Sequence, residues 1–158
     1  MIKKIVSGAQ TGADRAALDA ALEFGLNHGG WVPKGRLAED GLVPYLYDVR
    51  EMDSRSYESR TKQNVMDSDG TLIVSHGSLT GGSALTFGFA RKRGRPVLHM
   101  DLDILPGSAS LEVVTDWLEN NRIEVLNVAG PRASGDFEIY GAVKMLIVGV
   151  LDKQSETK

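Results

Sequence analysis

The chain has 158 residues, which is the length of one domain and enough to bury a substantial hydrophobic core. Its composition, 42% hydrophobic and 25% charged, is that of an ordinary globular protein, and a formal net charge of -3 argues against a general nucleic-acid or membrane-surface binder. The lack of cysteine excludes disulfides, thiolate catalysis and cysteine-ligated metals and agrees with a reducing compartment. Met1 leads straight into a strand pattern without a secretory segment, and no apolar run is long enough to span a bilayer, so we expect a cytoplasmic protein without a membrane partner.

A glycine-containing loop follows the first predicted strand, residues 2–7, and precedes a helix over residues 16–24. Strand, glycine loop and helix in this order form the setting in which backbone N–H groups bind phosphate, although the glycine spacing matches neither G-x-G-x-x-G nor a P-loop. The loop is more polar than an empty turn requires. Its predicted ligand contacts are Ser7, Gly8, Gln10, Thr11, Gly12, Asp14 and Arg15. The simpler alternatives are that Asp14 only stabilises the helix N-terminus and that Arg15 is an ordinary surface side chain.

A short second strand over residues 29–33 is followed by an irregular excursion from Lys34 to Tyr47. Loops of this length in compact domains are usually functional or disordered, and the tyrosines here favour a packed loop. Lys34 and Arg36 could meet a phosphate, although solvated surface charges are the commoner interpretation. We count Lys34 among the candidate ligand contacts.

The next helix, residues 56–66, leads directly into the central strand. Arg60 and Asn64 lie one turn apart on this helix, so both side chains can point at one target. The alternative is a surface arginine that pairs with Glu58 or Asp67. Both Arg60 and Asn64 are candidate ligand contacts.

The chain is organised around residues 69–86, where a buried strand, a glycine-rich turn and the start of a helix follow one another. Ser83 or Thr80 can cap the helix, and helix N-termini attract anions. The turn holds no evident nucleophile with a base beside it, and its His76 has the simpler interpretation of a donor to a backbone carbonyl. A glycine-rich connection without a ligand is the alternative. The predicted ligand contacts here are Gly81, Gly82, Ser83 and Thr86.

Other charged residues have simpler explanations. The basic cluster of residues 91–95 ends a helix over residues 84–93, where cations stabilise the terminal carbonyls. After a strand over residues 96–100, Asp101 and Asp103 have no histidine partner with ligand spacing, so we predict no metal site.

A helix over residues 108–120 and a strand over residues 123–128 lead to a third polar turn. Its predicted ligand contacts are Gly130, Pro131 and Arg132. The last helix should end near Val150, so that one domain covers residues 1–152 and a polar tail of residues 153–158 frays.

The order of strands and helices predicts a single α/β domain built on an open parallel sheet with helices on both faces. Ligands of such sheets bind at the carboxyl ends of the strands, near a topological switch point. Three polar turns, residues 7–14, 77–86 and 130–134, follow such strand ends. Their common position, more than any one motif, predicts a single site for an anionic, phosphate-bearing small molecule.

Several segments, which span most of the chain in one order, carry a family resemblance. They are residues 7–19 (SGAQTGADRAALD), 33–36 (PKGR) with 38–41 (AEDG), 60–65 (RTKQNV), 67–73 (DSDGTLI), 79–86 (LTGGSALT) and 127–132 (NVAGPR). Together they resemble the putative molybdenum carrier family. That family is a branch of a Rossmann-like superfamily that also contains the cytokinin-activating phosphoribohydrolases, once called lysine decarboxylases.

The resemblance implies a cytoplasmic, Rossmann-like protein that forms a homodimer or a higher homo-oligomer. Relatives are taken to bind the molybdenum cofactor (molybdopterin), a pterin that carries a phosphate and an anionic molybdenum centre. Such a ligand suits helix N-termini and the charges of Arg15, Arg60 and Arg132. Because the sequence has no cysteine or histidine cluster to ligate molybdenum, the cofactor would be held through its pterin, phosphate and oxo groups.

The phosphoribohydrolases carry a glutamate three residues beyond the Gly-Thr of their P-G-G-x-G-T-x-x-E motif, and an arginine on the preceding helix. The arginine matches Arg60, whereas Gly82-Ser83 replaces Gly-Thr and the glutamate position is Thr86. A threonine cannot act as a general base or stabilise an oxocarbenium ion by charge. The resemblance therefore implies a non-enzymatic carrier. The alternatives are a nucleoside-monophosphate N-glycosidase, in which Asp14 could replace the glutamate, and a nucleotide sensor that signals to a partner protein.

Overall fold

The computed structural model describes residues 1–157, and within that range the chain forms nine strands and five helices. The strands are β1 (Lys4–Val6), β2 (Asn27–Gly29), β3 (Trp31–Val32), β4 (Leu37–Ala38), β5 (Gly41–Leu42), β6 (Arg50–Glu51), β7 (Gly70–Ser75), β8 (Val97–Asp101) and β9 (Val125–Ala129). The helices are α1 (Ala13–Glu23), α2 (Tyr57–Met66), α3 (Gly81–Lys92), α4 (Ser108–Asn120) and α5 (Ile139–Glu156). Each predicted helix is present, and α4 has the predicted bounds.

Five strands form one parallel sheet in the order β2-β1-β9-β7-β8. All residues of β7 are buried, because this interior strand is covered on both faces. The register sets Leu72 beside Val128 and Ile5 beside Leu126 in the core. The predicted open parallel α/β sheet is therefore confirmed.

The crossover connections put helices on both faces of the sheet. The connections from β1 to β2 and from β8 to β9 run in one direction along the sheet, and the connection from β7 to β8 runs in the other. Because crossovers are right-handed, α1 and α4 share one face with α5, against which both pack, whereas α3 packs with α2 on the opposite face.

Helix α1 lies close to its neighbours because its inward side consists of small residues. Ala16, Ala17, Ala20 and Ala21 are all fully buried. The helix begins at Ala13, earlier than predicted, and the Ala13 N–H donates to the Pro131 carbonyl at 3.2 Å. The amino end of α1 is thereby fastened to the turn after β9.

The predicted strand over residues 29–33 is wrong, because the segment forms two strands in different sheets. Gly30 has a φ of 126°, and a Cβ on it would lie 2.1 Å from the Ser7 carbonyl oxygen. The chain bends at this glycine, so β2 stays in the main sheet and β3 pairs with β6. The bend depends on a tertiary contact that the local sequence does not reveal.

The excursion from Lys34 to Tyr47 is ordered around one buried arginine and contains the antiparallel pair β4 and β5. Arg36 Nε donates to the Val43 carbonyl at 3.1 Å, and Nη2 donates to the carbonyls of Pro44 at 2.9 Å and Tyr47 at 3.3 Å. The loop is packed as predicted, although of its two tyrosines Tyr47 is buried and Tyr45 is exposed. Arg36 is a structural centre of the loop, and the expectation of a solvated charge or phosphate contact is wrong for it.

Helix α5 runs to Glu156 rather than to about Val150, so the segment predicted as a polar tail starts within a helix. Lys158 lies outside the described residues. None of the helices between residues 1 and 157 combines the length and apolar character needed to cross a bilayer.

Candidate ligand-binding site

A cavity of about 690 Å³ opens at the carboxyl ends of β7 and β9. These neighbouring strands lead to α3 and α5, on opposite faces of the sheet, which makes their junction a topological switch point. Ten of the predicted ligand contacts line the cavity. They are Gln10, Asp14, Arg60, Gly81, Gly82, Ser83, Thr86, Gly130, Pro131 and Arg132. The three polar turns of the sequence therefore converge, and α2 adds Arg60 to them.

The cavity wall holds a largely buried pair of opposite charges. Arg60 Nη1 lies 3.7 Å from Asp14 Oδ2, and the Gln10 N–H donates to the same carboxylate oxygen at 3.3 Å. Burial raises the pKa of Asp14 to about 6, because loss of hydration outweighs the opposing effects of Arg60, the Gln10 N–H and Arg132. The wall therefore contains a carboxyl group that exchanges its proton close to neutral pH.

Gly8 makes room for this charged pair. A Cβ on Gly8 would lie 1.7 Å from Arg60 Nη1 and 2.9 Å from Asp14 Oδ2. Ser7 supports the same loop, because its Oγ donates to the Asp14 carbonyl at 3.0 Å and accepts from the Ala9 N–H at 3.1 Å. Gly8 and Ser7 thus lie behind the cavity wall and hold the pair in place.

Two buried polar atoms of the wall, Arg60 Nε and Gln10 Oε1, have no hydrogen-bond partner within the described part of the chain. The Gln10 amide nitrogen donates to the carbonyls of Leu37 at 2.9 Å and Gly8 at 3.3 Å, which orients Oε1. A buried polar atom without a partner costs about 1–3 kcal/mol. Both atoms are closed off from solvent, so this cost lies within the wall itself.

Two arginine side chains of the cavity contact the ring of Tyr57. The guanidinium carbon of Arg132 lies 4.7 Å from the ring centroid, and that of Arg60 lies 5.7 Å from it. Such contacts hold the cations without neutralising them. The sequence signal for Tyr57 was its position three residues before Arg60 on one helix face, and it was not recognised as a ligand contact. The cavity therefore offers two positive charges beside a flat ring.

The amino end of α3 opens into the cavity. Thr80 is the N-cap residue, but no side-chain capping bond forms there within the described residues, and Ser83 lies inside the helix. Thr80 thus takes the predicted N-cap position without the expected side-chain bond, and the alternative prediction of Ser83 is wrong. A Cβ on Gly81 or Gly82 would meet open space. The uncapped N–H groups and the helix dipole consequently favour an anion in the cavity.

Thr86 is buried on the same helix, and its hydroxyl donates to the Gly82 carbonyl at 2.8 Å. This bond to its own helix engages the hydroxyl. Thr86 lines the cavity but offers no acidic or basic group.

Seven predicted ligand contacts do not line the cavity. They are Ser7, Gly8, Thr11, Gly12, Arg15, Lys34 and Asn64. Arg15 forms a bidentate ion pair with Asp40, with N–O distances of 2.5 and 2.8 Å. Thr11 hydrogen-bonds to Glu39, which also accepts from the Ser134 hydroxyl at 2.5 Å. These contacts fasten the turn between β4 and β5 to the loops around the site.

The remaining three positions have other surroundings. Asn64 Oδ1 accepts from the Trp31 N–H at 2.7 Å and its Nδ2 donates to the Trp31 carbonyl at 3.0 Å, so Asn64 completes the pairing of β3. Gly12 lies against the turn after β9, where an added Cβ would be 2.5 Å from the Pro131 carbonyl oxygen. Lys34 is exposed on the excursion.

Sequence reasoning missed the acidic partner of His76. His76 Nδ1 lies 2.6 Å from Asp136 Oδ2, and both residues line the cavity. The hydrogen bond raises the pKa of His76. Burial alone would raise the pKa of Asp136, but hydrogen bonds from His76 and the Glu138 N–H lower it. Because 60 positions separate the partners, the available signal was only that each follows the carboxyl end of a central strand.

Asp101 organises the turn after β7 and β8. Its Oδ1 accepts from the N–H groups of Gly77 at 2.9 Å and Asp103 at 3.0 Å. Across residues 1–157, no group of three or more histidine, aspartate or glutamate side chains is arranged to hold a metal ion.

The sequence model of the circularly permutated YpsA SLOG family matches residues 5–151. The chain is also similar to a crystal structure, at 1.45 Å resolution, of a protein from Syntrophus aciditrophicus SB named putative molybdenum carrier protein. The two share 53% sequence identity over 95% of each chain, with a TM-score of 0.94. No curated protein matches.

The strand order agrees with a circular permutation. If the strands are counted from β7 through β8 and β9 and then through β1 and β2, the sheet has the flavodoxin-like order 2-1-3-4-5. The switch point of that order lies between its first and third strands, which here are β7 and β9, the strands that carry the cavity. With the family model matched over residues 5–151 and a relative 53% identical over 95% of the chain, this protein belongs to the circularly permutated YpsA SLOG family.

Proposed function

We propose that this protein binds and carries a small anionic ligand that joins a flat ring to a phosphate. The ligand is a phosphorylated pterin such as the molybdenum cofactor, or a nucleotide. One observation carries the proposal, namely that Arg60, Arg132 and the uncapped amino end of α3 line the same cavity at the switch point. Guanidinium groups and free backbone N–H groups are the donors that phosphate oxygens prefer.

The ring of the ligand has matching groups in the same cavity. Tyr57 provides a flat surface, and the guanidinium groups of Arg60 and Arg132 lie beside it and provide donors. Pterins and nucleobases both combine a flat ring with donors and acceptors on its edge. The cavity of about 690 Å³ lies within the usual range of about 300–1,000 Å³ for small-molecule sites.

The name of the similar Syntrophus protein, putative molybdenum carrier protein, favours the molybdenum cofactor among the phosphorylated pterins. Its fit to this chain rests on its phosphate and pterin, which Arg60, Arg132 and Tyr57 would hold. A carrier has no need to ligate the metal, and the described residues form no metal-binding cluster. When bound, the cofactor would supply the redox chemistry of its molybdenum, whereas these side chains orient its organic part.

Native mass spectrometry of gently purified protein, with elemental analysis of the same sample, tests the proposal directly. A retained pterin phosphate with near-stoichiometric molybdenum supports the carrier. A retained nucleotide without molybdenum supports nucleotide binding. Since purification removes weakly held ligands, calorimetric titration with nucleoside monophosphates and a pterin phosphate completes the test, and no binding of any of them would contradict the proposal.

Two arginine variants test the location of the site. Arg60→Gln and Arg132→Gln each remove a hydrogen bond to a charged group, worth about 1.5–3 kcal/mol, so affinity should fall about 10–100-fold. Arg93→Gln is the matched control, because it removes the same charge from the exposed carboxyl end of α3. An equal loss of affinity in the Arg93 variant would indicate an effect of net charge and contradict binding in this cavity.

The resemblance also implies a cytoplasmic homodimer or higher homo-oligomer, and we retain both as proposals. Light scattering after size-exclusion chromatography gives the oligomeric state. The same measurement with and without ligand separates the carrier from a nucleotide sensor. A sensor should change its oligomeric state or its partner binding when the ligand binds, and a carrier should not.

A second candidate function is hydrolysis of the N-glycosidic bond of a nucleoside monophosphate. The favouring observation is Asp14, a carboxylate of the cavity wall beside Arg60 with a pKa raised by burial to about 6. Asp14 would take a proton from water while the hydroxyl joins C1′ and the C1′–N bond breaks, and the same proton then passes from Asp14 to the departing base, which restores the carboxylate. The products are the free base and ribose 5-phosphate.

Chromatographic detection of free base from nucleoside monophosphates tests this candidate. Asp14→Asn should reduce any base release at least about 100-fold, the usual minimum contribution of a general base. Asp116→Asn, an exposed position on α4, is the control. Equal base release by the Asp14 variant and the wild type would rule Asp14 out as the base.

A further inference from the structure

His76 and Asp136 form a pair in the cavity, apart from the side chains that the proposed function assigns to the ligand. We propose that His76, held by Asp136, binds a phosphate monoester group of the ligand, with its Nε2–H as donor to a phosphate oxygen. This inference rests on the proposed function and deepens it, because it assigns a phosphate-binding side chain and makes affinity depend on pH.

The geometry fixes the imidazole in one orientation. His76 Nδ1 lies 2.6 Å from Asp136 Oδ2, so Nε2 is the ring nitrogen that is left to bind a ligand in the cavity. Asp136 is itself held, because Oδ1 accepts from the Glu138 N–H at 2.9 Å and its own N–H donates to the Arg132 carbonyl at 3.1 Å. A donor that is held before the ligand arrives loses little side-chain entropy on binding.

Other anion-binding groups share this part of the cavity. His76 directly follows β7, and the same loop continues to Thr80 and the amino end of α3. Asp136 lies in the same turn as Arg132, which also lines the cavity. An imidazolium, a guanidinium and an uncapped helix end can therefore bind one dianionic phosphate.

The surroundings favour the charged form of His76. The hydrogen bond that His76 donates to Asp136 raises the pKa of His76, partial burial opposes it, and the charges of Asp136, Asp103 and Glu138 raise it further. The remaining charged groups of the cavity lie on α1, α2 and the turn after β9. They are Asp14, Glu58, Arg60 and Arg132. A bound phosphate dianion adds to the acidic groups, so ligand binding should raise the pKa of His76 further.

The alternative is that His76 only ties the turn after β7 to the turn after β9. Two substitutions separate these roles. His76→Asn keeps a donor near the position of Nδ1, and so the contact with Asp136, but removes Nε2. His76→Gln places an uncharged amide nitrogen near the position of Nε2. A structural role predicts that His76→Asn is tolerated, whereas phosphate binding predicts that it is not.

Proton NMR of the full chain measures the first consequence. The chain has three histidines, so the imidazole signals are few, and His76→Asn assigns the signal of His76. Inorganic phosphate, and separately GMP, should move the titration midpoint of His76 to higher pH. Guanosine, which lacks the phosphate, should leave it unchanged.

Calorimetric titration with GMP between pH 7 and pH 9 measures the second consequence. Over this range a phosphate monoester, with a second pKa of about 6, is a dianion. Asp14, with a pKa of about 6, is mostly ionised, and the pKa of His76 is raised by its hydrogen bond to Asp136, so the charge lost as pH rises is expected to be that of His76. Wild-type affinity should fall about tenfold as pH rises, as expected for loss of a charge-assisted hydrogen bond. The affinity of His76→Asn for GMP should be about tenfold lower than that of the wild type at pH 7 and should change less than twofold with pH. The affinity of His76→Gln should lie between these two at pH 7 and should not depend on pH.

His28→Asn serves as the control, because His28 lies on β2 outside the cavity and should keep the wild-type pH profile. If phosphate and GMP leave the midpoint of His76 unchanged, or His76→Asn binds GMP as tightly as the wild type, the inference is wrong and the proposed function stands. If neither nucleotide nor pterin phosphate binds the wild type, the proposed function fails with it.

Discussion

The arginine side chains in two polar regions of this molecule differ in their hydrogen-bond partners. In the excursion between β3 and β6, the donors of Arg36 reach three backbone carbonyls of its own loop. In the cavity, Arg60 keeps a buried Nε without a partner among the described residues, and its nearest anion, Asp14, is 3.7 Å away. Both side chains are withdrawn from water, but only Arg36 has exchanged water for several hydrogen bonds to protein carbonyls. The difference indicates that Arg36 stabilises the fold, whereas the looser pairing of Arg60 agrees with its proposed role as a ligand contact.

The largest expected effect is a loss of stability in Arg36→Gln. The substitution leaves up to three carbonyls of the loop without a donor, and the free energy of unfolding should fall on the order of 4 kcal/mol. The positive φ of 54° at this position strains arginine and glutamine equally, so it does not explain the loss. Urea unfolding measures the change, and ligand affinity of the folded variant should stay within about twofold of wild type.

Lys34→Gln is the control for Arg36→Gln, because it removes the same charge from the same loop at a position where the side chain is exposed. Its stability should stay within about 0.5 kcal/mol of wild type. If Lys34→Gln and Arg36→Gln cost equal stability, the carbonyl contacts of Arg36 do not organise the loop.

The next effect is a pH dependence of stability in the cavity region. Burial raises the pKa of Asp14 from an ordinary 3.8 to about 6, so the native protein takes up a proton in this range before the unfolded chain does. The protonated carboxyl contributes fully to the free energy of unfolding below about pH 4. This contribution of about 3 kcal/mol is lost as pH rises through about 6. Asp14→Asn, which cannot ionise, should match the wild type near pH 4 and exceed it near pH 7.5.

Urea unfolding of both proteins at the two pH values gives this difference. Comparison at equal pH cancels the other titrating groups, such as Asp136, whose pKa is lowered and which therefore destabilises the native state as pH falls. Parallel pH profiles for the wild type and Asp14→Asn would show that the Asp14 carboxylate does not lose enough hydration to destabilise the fold.

A smaller effect, on affinity rather than stability, should follow from Gly8→Ala. The new methyl group would overlap Arg60 Nη1, the mobile end of a long side chain, so Arg60 should move away while the fold persists. Affinity for the ligand should fall about tenfold, or about 1.4 kcal/mol. Gly88→Ala on α3, where an added Cβ meets open space, is the control and should bind normally. Normal ligand affinity in Gly8→Ala would show that the position of Arg60 is unimportant for binding.

The parts of the fold that the sequence predicted are those fixed by local pattern. The buried apolar run of β7 and the amphipathic face of α4 can each be recognised from a few neighbouring residues. The convergence of three polar turns was also predictable, because the carboxyl ends of parallel strands meet at one edge of the sheet. The position of the cavity was therefore predictable from sequence even though no motif of known spacing marked it.

Several of the errors concern partners that are distant in sequence. Asn64 and Arg60 share a helical face, but one turn separates them by about 5.4 Å along the axis, so Arg60 reaches the cavity and Asn64 reaches β3. The pairing of His76 with Asp136 joins turns 60 positions apart. Helical periodicity predicts which way a side chain points, but it does not predict which neighbour that side chain contacts.

The smallest expected effect is that of Asp40→Asn, which tests the loop contact of Arg15. Arg15 and Asp40 form two hydrogen bonds, but 47% of the Asp40 side chain is exposed, so water and salt screen the pair. We expect the variant to lose about 0.5 kcal/mol of stability, and less in 1 M salt, with unchanged ligand affinity. A marked loss of affinity would instead mean that the excursion closes over the cavity. Calorimetry with GMP, beside urea unfolding at low and high salt, distinguishes these outcomes, because only a direct role in binding would change affinity at constant stability.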